Sequence, residues 1–184
     1  MIRRAFTVVE LLIAMAVLAI AAAIAFPVYR SAVAKSRETT CINTLHQLHS
    51  AIEIYRANYG GEGVYGGVTE MRLPPYLIWM IRDLGLTHAA MRCCVPGRIH
   101  PWSGFTVFYP SPDMGANGDW KGWAKYCSEY RDQAILIGDF NHDPNKDLID
   151  SPFVTHRIIG LYVGGQVKVK TKFGQPQMRL WWND

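Results

Sequence analysis

The feature that most restricts this chain lies at its start: Arg3-Arg4-Ala5-Phe6-Thr7-Val8-Val9-Glu10, then an uncharged apolar stretch from Leu11 to Phe26. About 20 apolar residues of helix cross the hydrocarbon of a bilayer, so this run has the length of a membrane span. Arg30 is the next charge after it. Glu10 does not suit a plain anchor, because an ionised acid in a span costs several kcal/mol and usually marks function. A cleaved secretory signal would place small residues after the run, whereas Phe26-Pro27-Val28-Tyr29 follows. A lipoprotein needs a cysteine at its cleavage point, and the first cysteine is Cys41.

Residues 3 to 30 resemble the class III leader of type IV pilins and type II secretion pseudopilins. That family has a short basic leader, a small residue, then Phe-Thr-hydrophobic-hydrophobic-Glu opening a hydrophobic helix. The match is Arg3, Arg4 and Ala5, then Phe6-Thr7-Val8-Val9-Glu10-Leu11-Leu12. With Phe6 as the first mature residue, Glu10 is the fifth and Pro27 the twenty-second, where the family favours Glu and Pro. Ala5 stands where Gly is usual.

The resemblance implies a prepilin peptidase/methyltransferase that cuts between Ala5 and Phe6 on the cytoplasmic side and methylates the Phe6 amine. Arg3 and Arg4 hold the leader on that side by the positive-inside tendency. The resemblance also implies that Glu10 neutralises the Phe6 ammonium of a neighbouring subunit during assembly. A low dielectric makes such a pair strongly oriented, so it would set register between subunits. A compatible use places Glu10 one turn from the helix start, where the helix dipole favours an acid. The implied partners are other copies of the chain, other pilin-like subunits, and the assembly platform of a secretion machine or pilus. The implied location is the bacterial inner membrane, single-pass with the head outside the cytoplasm, and then a periplasmic or cell-surface filament.

The chain has 184 residues, enough for one soluble domain and its anchor. Three segments are expected: a leader over 1–5, a transmembrane and filament-core helix over 6–30, and a head over 31–184. Removing the leader takes away two of the 19 basic residues, leaving 17 against 15 acids. The basic pI is therefore a weak argument for nucleic acid.

Ile42, Leu45, Leu48, Ile52, Tyr55 and Tyr59 recur at three- and four-residue intervals, the spacing of an amphipathic helix. This predicts a helix from Phe6 to Tyr59, roughly 80 Å long, kinked at Pro27 and stopped by Gly60-Gly61. A short helix is expected over 76–84. Strands are expected at 105–109, 134–138, 157–163, 166–172 and 178–182, with a two-residue hairpin at Gly164-Gly165. The expected fold is α+β and type IV pilin-like. Its long N-terminal helix has a hydrophobic half and an amphipathic half, the latter packed on a C-terminal antiparallel β-sheet head.

Asp139, Asn141, Asp143, Asn145, Asp147 and Asp150 place an oxygen side chain at alternate positions and then a last acid. Calcium takes six to eight oxygens, and this spacing wraps one ion. Pro144 occupies the place where such loops use Gly, and the flanks are not paired helices. The alternative is a solvated Asx/Pro turn whose Asp and Asn cap their own backbone. Several pseudopilins carry a calcium loop in the C-terminal head, so the resemblance favours structural Ca2+.

Cys41, Cys93, Cys94 and Cys127 are disulfide candidates in an oxidising compartment. One of Cys93 and Cys94 with Cys127 would staple the head, and Cys41 could take the other; three pairings are possible. Zinc is a weaker rival, because no CxxC occurs and His88 and His100 are not at persuasive spacing.

Lys168, Lys170 and Lys172 alternate with Val167, Val169 and Thr171, which reads as a solvated strand face rather than a DNA-binding stripe. Trp102, Trp120, Trp123, Trp181 and Trp182 read as packing residues, with Trp120 and Trp123 in a Gly-rich stretch open to solvent. No GxSxG, HExxH or P-loop pattern occurs, so no enzyme is expected. The reading is a structural filament subunit. Its rivals are a membrane-anchored DNA- or glycan-binding module and an anchored extracytoplasmic enzyme.

Overall fold

The computed structural model describes residues 7–73, 107–108, 120–148, 151–176 and 180–183. The chain divides into two compact units, Met1–Thr39 and Thr40–Asp184.

Helix α1 (Val8–Tyr59) is 52 residues long and passes through Pro27 without a break. Proline withholds one backbone N–H and crowds the preceding turn. A stretch rich in Ala, Leu and Ile leads into Pro27, and helix-tolerant residues such as Ala32, Ala34, Lys35, Arg37 and Glu38 carry the helix on. Within the first unit the apolar side chains are open: Leu11, Leu18, Ile24 and Phe26 are each more than half exposed. Near its end Lys35 Nζ pairs with Glu38 Oε1 at 3.0 Å, one turn on.

In the second unit α1 carries a buried stripe of Cys41, Leu45, Leu48, Ile52 and Arg56, spaced three or four residues apart as a helix face requires. The expected stripe continued through Tyr55 and Tyr59, but Tyr59 is 56 % exposed and Arg56 occupies the buried line. A buried guanidinium is tolerable only when its donors are satisfied. Arg56 donates to the carbonyls of Met71, Gly61 and Val64 and to Glu53, so it ties the loop after the helix to its last turn. That turn closes with Gly61 N bonded to Arg56 O at 2.7 Å and Gly60 N to Ala57 O, a Schellman ending.

The sheet has strand order β1-β2-β3-β4, with β1 (Val107–Phe108), β2 (Ile135–Asp139), β3 (Thr155–Tyr162) and β4 (Val167–Phe173), all neighbours antiparallel. The architecture is α+β with a pilin-like arrangement. Between β1 and β2 lies a helix, α2 (Trp120–Tyr130), in the stretch expected to be open. Trp123, Tyr126 and Cys127 follow helical spacing and are buried, Trp123 completely. The side chain of Trp120 is not among those described.

The β3–β4 connection is a three-residue hairpin rather than the expected two-residue one. Gly165 N donates to Tyr162 O, Tyr162 N donates to Gln166 O, and Gly165 sits at φ +80°. A turn followed by one left-handed residue gives this bulged closure. The hairpin lies against α1, where His49 Nε2 is 2.9 Å from Val163 O.

Strand parity assigns the two faces. Gly138, Gly160 and Tyr162 share one face, and Trp182 covers it: a Cβ at Gly160 would overlap the Trp182 ring and meet Ile135 Cδ1 at 2.7 Å. Asp139 and its register partner Ile159 belong to the opposite face, where Cys41 of α1 approaches Asp139. Residues 178–182 were expected to be a strand, but 180–183 form a helical turn, α3 (Leu180–Asn183). Burial of both Trp181 and Trp182 explains the difference, because adjacent strand residues point to opposite faces. The short helix expected over 76–84 lies outside the described residues.

Candidate functional site

The N-terminal site is built on the first turn of α1. Thr7 Oγ1 accepts from Glu10 N at 3.2 Å, while Glu10 Oε2 accepts from Thr7 N and Thr7 Oγ1, each at 2.9 Å. This is a reciprocal capping box, which satisfies orphan donors at a helix start. It fixes the Glu10 carboxylate against Thr7, the second residue after the Ala5-Phe6 bond. Thr7 had no assigned role; its signal is the Thr-x-x-Glu spacing itself. Ala5 and Phe6 lie outside the described residues. Pro27 is helical and contained within α1.

The Asp/Asn loop joins β2 to β3. Asp139 is buried at the end of β2, and its Oδ1 accepts from Asn141 N at 3.0 Å and Asn141 Nδ2 at 2.6 Å. Burial raises its carboxyl above the ordinary range, and the Asn141 bonds oppose that shift. Asp143 Oδ1 accepts from Asn145 N at 3.1 Å and Arg157 N at 3.3 Å, and its Oδ2 lies 2.5 Å from His156 Nδ1. Asn145 Nδ2 donates to Thr155 O at 2.9 Å. Asp147 is exposed in a short 3-10 turn, and Asp150 lies outside the described residues. Bonds from Asp139 to Asn141 and from Asp143 to Asn145 are Asx turns, and those from Asp143 and Asn145 tie the loop to the start of β3. The described bonds direct Asp139 Oδ1 and both Asp143 oxygens at donors of the head itself. His156 and Asp143 side chains have no solvent exposure, and His156 Nε2 has no hydrogen-bond partner among the described residues.

Of the four cysteines, Cys127 departs from the expected arrangement. Cys127 on α2 carries a free thiol, buried with its pKa pushed up to about 12 by desolvation, so the pairing considered for it with Cys93 or Cys94 does not form. Its position on the inward face of α2, among Trp123 and Tyr126, makes it a small core residue. Cys41 is disulfide-bonded, and Cys93 and Cys94 lie outside the described residues.

The lysine stripe is partly covered by the chain itself. Lys170 Nζ donates to Trp182 O at 2.7 Å and lies 5.8 Å from the centre of the Trp181 ring; Lys168 lies 5.0 Å from that of Tyr162. On the opposite face of β4 Val169, expected to face the core with Val167 and Thr171, is 39 % exposed, and Phe173 beyond them is 59 % exposed. The Trp181 and Trp182 rings pack on the lysine side instead. Trp102 lies outside the described residues.

Residues 1–26 match the family described as the Prokaryotic N-terminal methylation motif, the class III prepilin leader. Together with α1, which is long and apolar enough to cross a membrane, the motif supports a type IV pilin-like or pseudopilin protein. Comparisons with curated proteins and with solved structures gave no match.

Proposed function

We propose that the chain is made as a prepilin, cut between Ala5 and Phe6, N-methylated on Phe6, and polymerised as a structural subunit of a type IV filament. The filament is a type II secretion-like pseudopilus or a pilus. The carrying observation is a methylation motif that runs directly into a helix whose apolar side chains are open to contact over a full membrane thickness. Such a surface needs lipid or other helices of its kind. Glu10 is the assembly residue in this reading, held at the helix start until it meets the Phe6 ammonium of a neighbouring subunit. The subunit's work is mechanical rather than catalytic, and its partners are the prepilin peptidase, other pilin-like subunits and an inner-membrane assembly platform.

The deciding experiment is the intact mass and N-terminal residue of the protein recovered from membranes, with and without a prepilin peptidase. A chain beginning at methylated Phe6 only when the peptidase is present is the expected result. A chain that keeps residues 1–5 in both cases overturns the reading.

Structural calcium on the Asp/Asn loop belongs to the same proposal. It requires Asp139 and Asp143 to exchange their present donors for the ion. A rise in melting temperature with calcium at about millimolar concentration, absent with magnesium and lost in Asp143→Asn, supports it; no rise removes calcium from the reading.

A further inference from the structure

One cluster of metal-ligating side chains joins Asp139, at the start of the Asp/Asn loop, to two residues given no metal role above. The Cys41 sulfur, an Asp139 oxygen and a His142 nitrogen all lie within 4.8 Å of one another. They come from three elements of the second unit: α1, the end of β2, and the turn that follows. Cys41 and Asp139 are 2 % and 1 % exposed, and the His142 side chain is 8 % exposed. We propose that these three residues, once the Cys41 disulfide is opened, bind a borderline-soft divalent cation of the zinc type.

The geometry is near what such an ion needs. Bonds of about 2.3 Å to sulfur and about 2.0–2.2 Å to nitrogen and oxygen place tetrahedral ligands roughly 3.5 Å apart. His142 Nε2 and Asp139 Oδ2 are already 3.9 Å apart, and with all three atoms within 4.8 Å no separation needs to close by more than about 1.3 Å. Asp139 Oδ1 is held by Asn141 N and Nδ2, which aims the other oxygen at His142. A ligating carboxylate is commonly held in this way by hydrogen bonds to its other oxygen. The chemistry of the set is equally specific. Thiolate, imidazole and one carboxylate suit zinc or cobalt rather than calcium, and three protein ligands leave a fourth position for solvent.

The disulfide gates the site, since a disulfide sulfur carries no charge and is a poor ligand. A phosphine reductant donates two electrons to the S–S bond and leaves two thiols, itself becoming a phosphine oxide with oxygen from water. The cation then takes the Cys41 sulfur as thiolate, and the thiol proton goes to solvent. In a chain whose cysteines are still reduced, cation and disulfide compete for one sulfur.

The test uses the full chain in detergent micelles, reduced with a phosphine that is then removed without air. Titration with Co2+ is expected to give one equivalent bound, with a near-ultraviolet sulfur-to-cobalt charge-transfer band. The band is expected to be absent from the oxidised protein and from Cys41→Ser and unchanged in Cys127→Ser. In His142→Ala, binding is expected to weaken roughly tenfold or more. A second measurement needs no variant: zinc is expected to shield Cys41 of the reduced chain from alkylation, read by peptide mass. The proposal fails if the reduced protein gives no band, if the band survives Cys41→Ser, or if zinc leaves Cys41 alkylation undiminished. Loss of native circular dichroism on reduction alone also overturns it, because the three ligands then no longer converge.

Discussion

The two halves of α1 have the same backbone and opposite relations to their surroundings. From Leu11 to Phe26 every large apolar side chain is exposed, whereas Cys41, Leu45, Leu48 and Ile52 are buried almost completely. The first half is apolar all round and the second is apolar along one stripe. A stripe is what one sheet can cover; an apolar cylinder needs an environment on every side. The amphipathic half is therefore finished by its own chain. The apolar half is finished only by lipid or by other helices, and Glu10, the carboxylate just before it, is an ionised group that environment must accommodate.

The sharpest way to break this contrast is Glu10→Ala. In the proposed filament it leaves cleavage intact, because the Ala5-Phe6 bond is untouched, and abolishes assembly. Assembly is scored by filaments in shear fractions, and normal filaments from the variant would sink the assigned role of Glu10. Next in size is a matched pair on the two halves. Ile52→Ala removes a fully buried side chain and is expected to cost the head about 2–5 kcal/mol. Leu18→Ala, at a position 69 % exposed, is expected to change head unfolding by no more than about 0.5 kcal/mol. Denaturant unfolding followed by tryptophan fluorescence compares them, since the described tryptophan side chains, Trp123, Trp181 and Trp182, lie in the head core. Equal effects would mean that the two halves do not differ as described.

What could be read in advance follows the same division. The leader and the apolar run are local patterns, so their residues were legible one by one. The helix end was legible because Gly60-Gly61 supplies a local stop. Arg56 was not: hydrophobic periodicity sorts side chains by polarity, and it preferred Tyr55 and Tyr59 to an arginine whose burial depends on three carbonyls beyond the helix. Helix α2 was hidden because Gly122 and the charged positions weaken its propensity, although Trp123, Tyr126, Cys127 and Tyr130 keep helical spacing. In the Asp/Asn loop the Asx turns were a stated alternative. The partnership of Asp143 with His156 was beyond reach, since the fold rather than loop spacing brings the two together. The assignment of Trp181 and Trp182 to a strand failed because the pattern shows that both are bulky but not that both face inward.

Gly160→Ala tests the covered face of the sheet. The added methyl meets Trp182 and Ile135, and overpacking of this kind costs about 1–3 kcal/mol. A variant as stable as the parent would mean that Trp182 is not seated on Gly160.

The smallest expected effect concerns the first turn of α1. Thr7→Val keeps the shape of the side chain and removes the hydroxyl that both donates to Glu10 Oε2 and accepts from Glu10 N. Losing an N-cap costs about 1 kcal/mol, confined to the first turn of α1. Faster hydrogen exchange at the Glu10 amide is expected, with no change in head unfolding. Assembly is expected to weaken rather than vanish, because Glu10 keeps its charge and its bond to Thr7 N. The comparison with Glu10→Ala separates two uses of one carboxylate. If Thr7→Val abolishes filaments as completely as Glu10→Ala, orientation of the carboxylate controls assembly. If filaments persist, its charge is the decisive property and the cap only steadies the helix end that carries it.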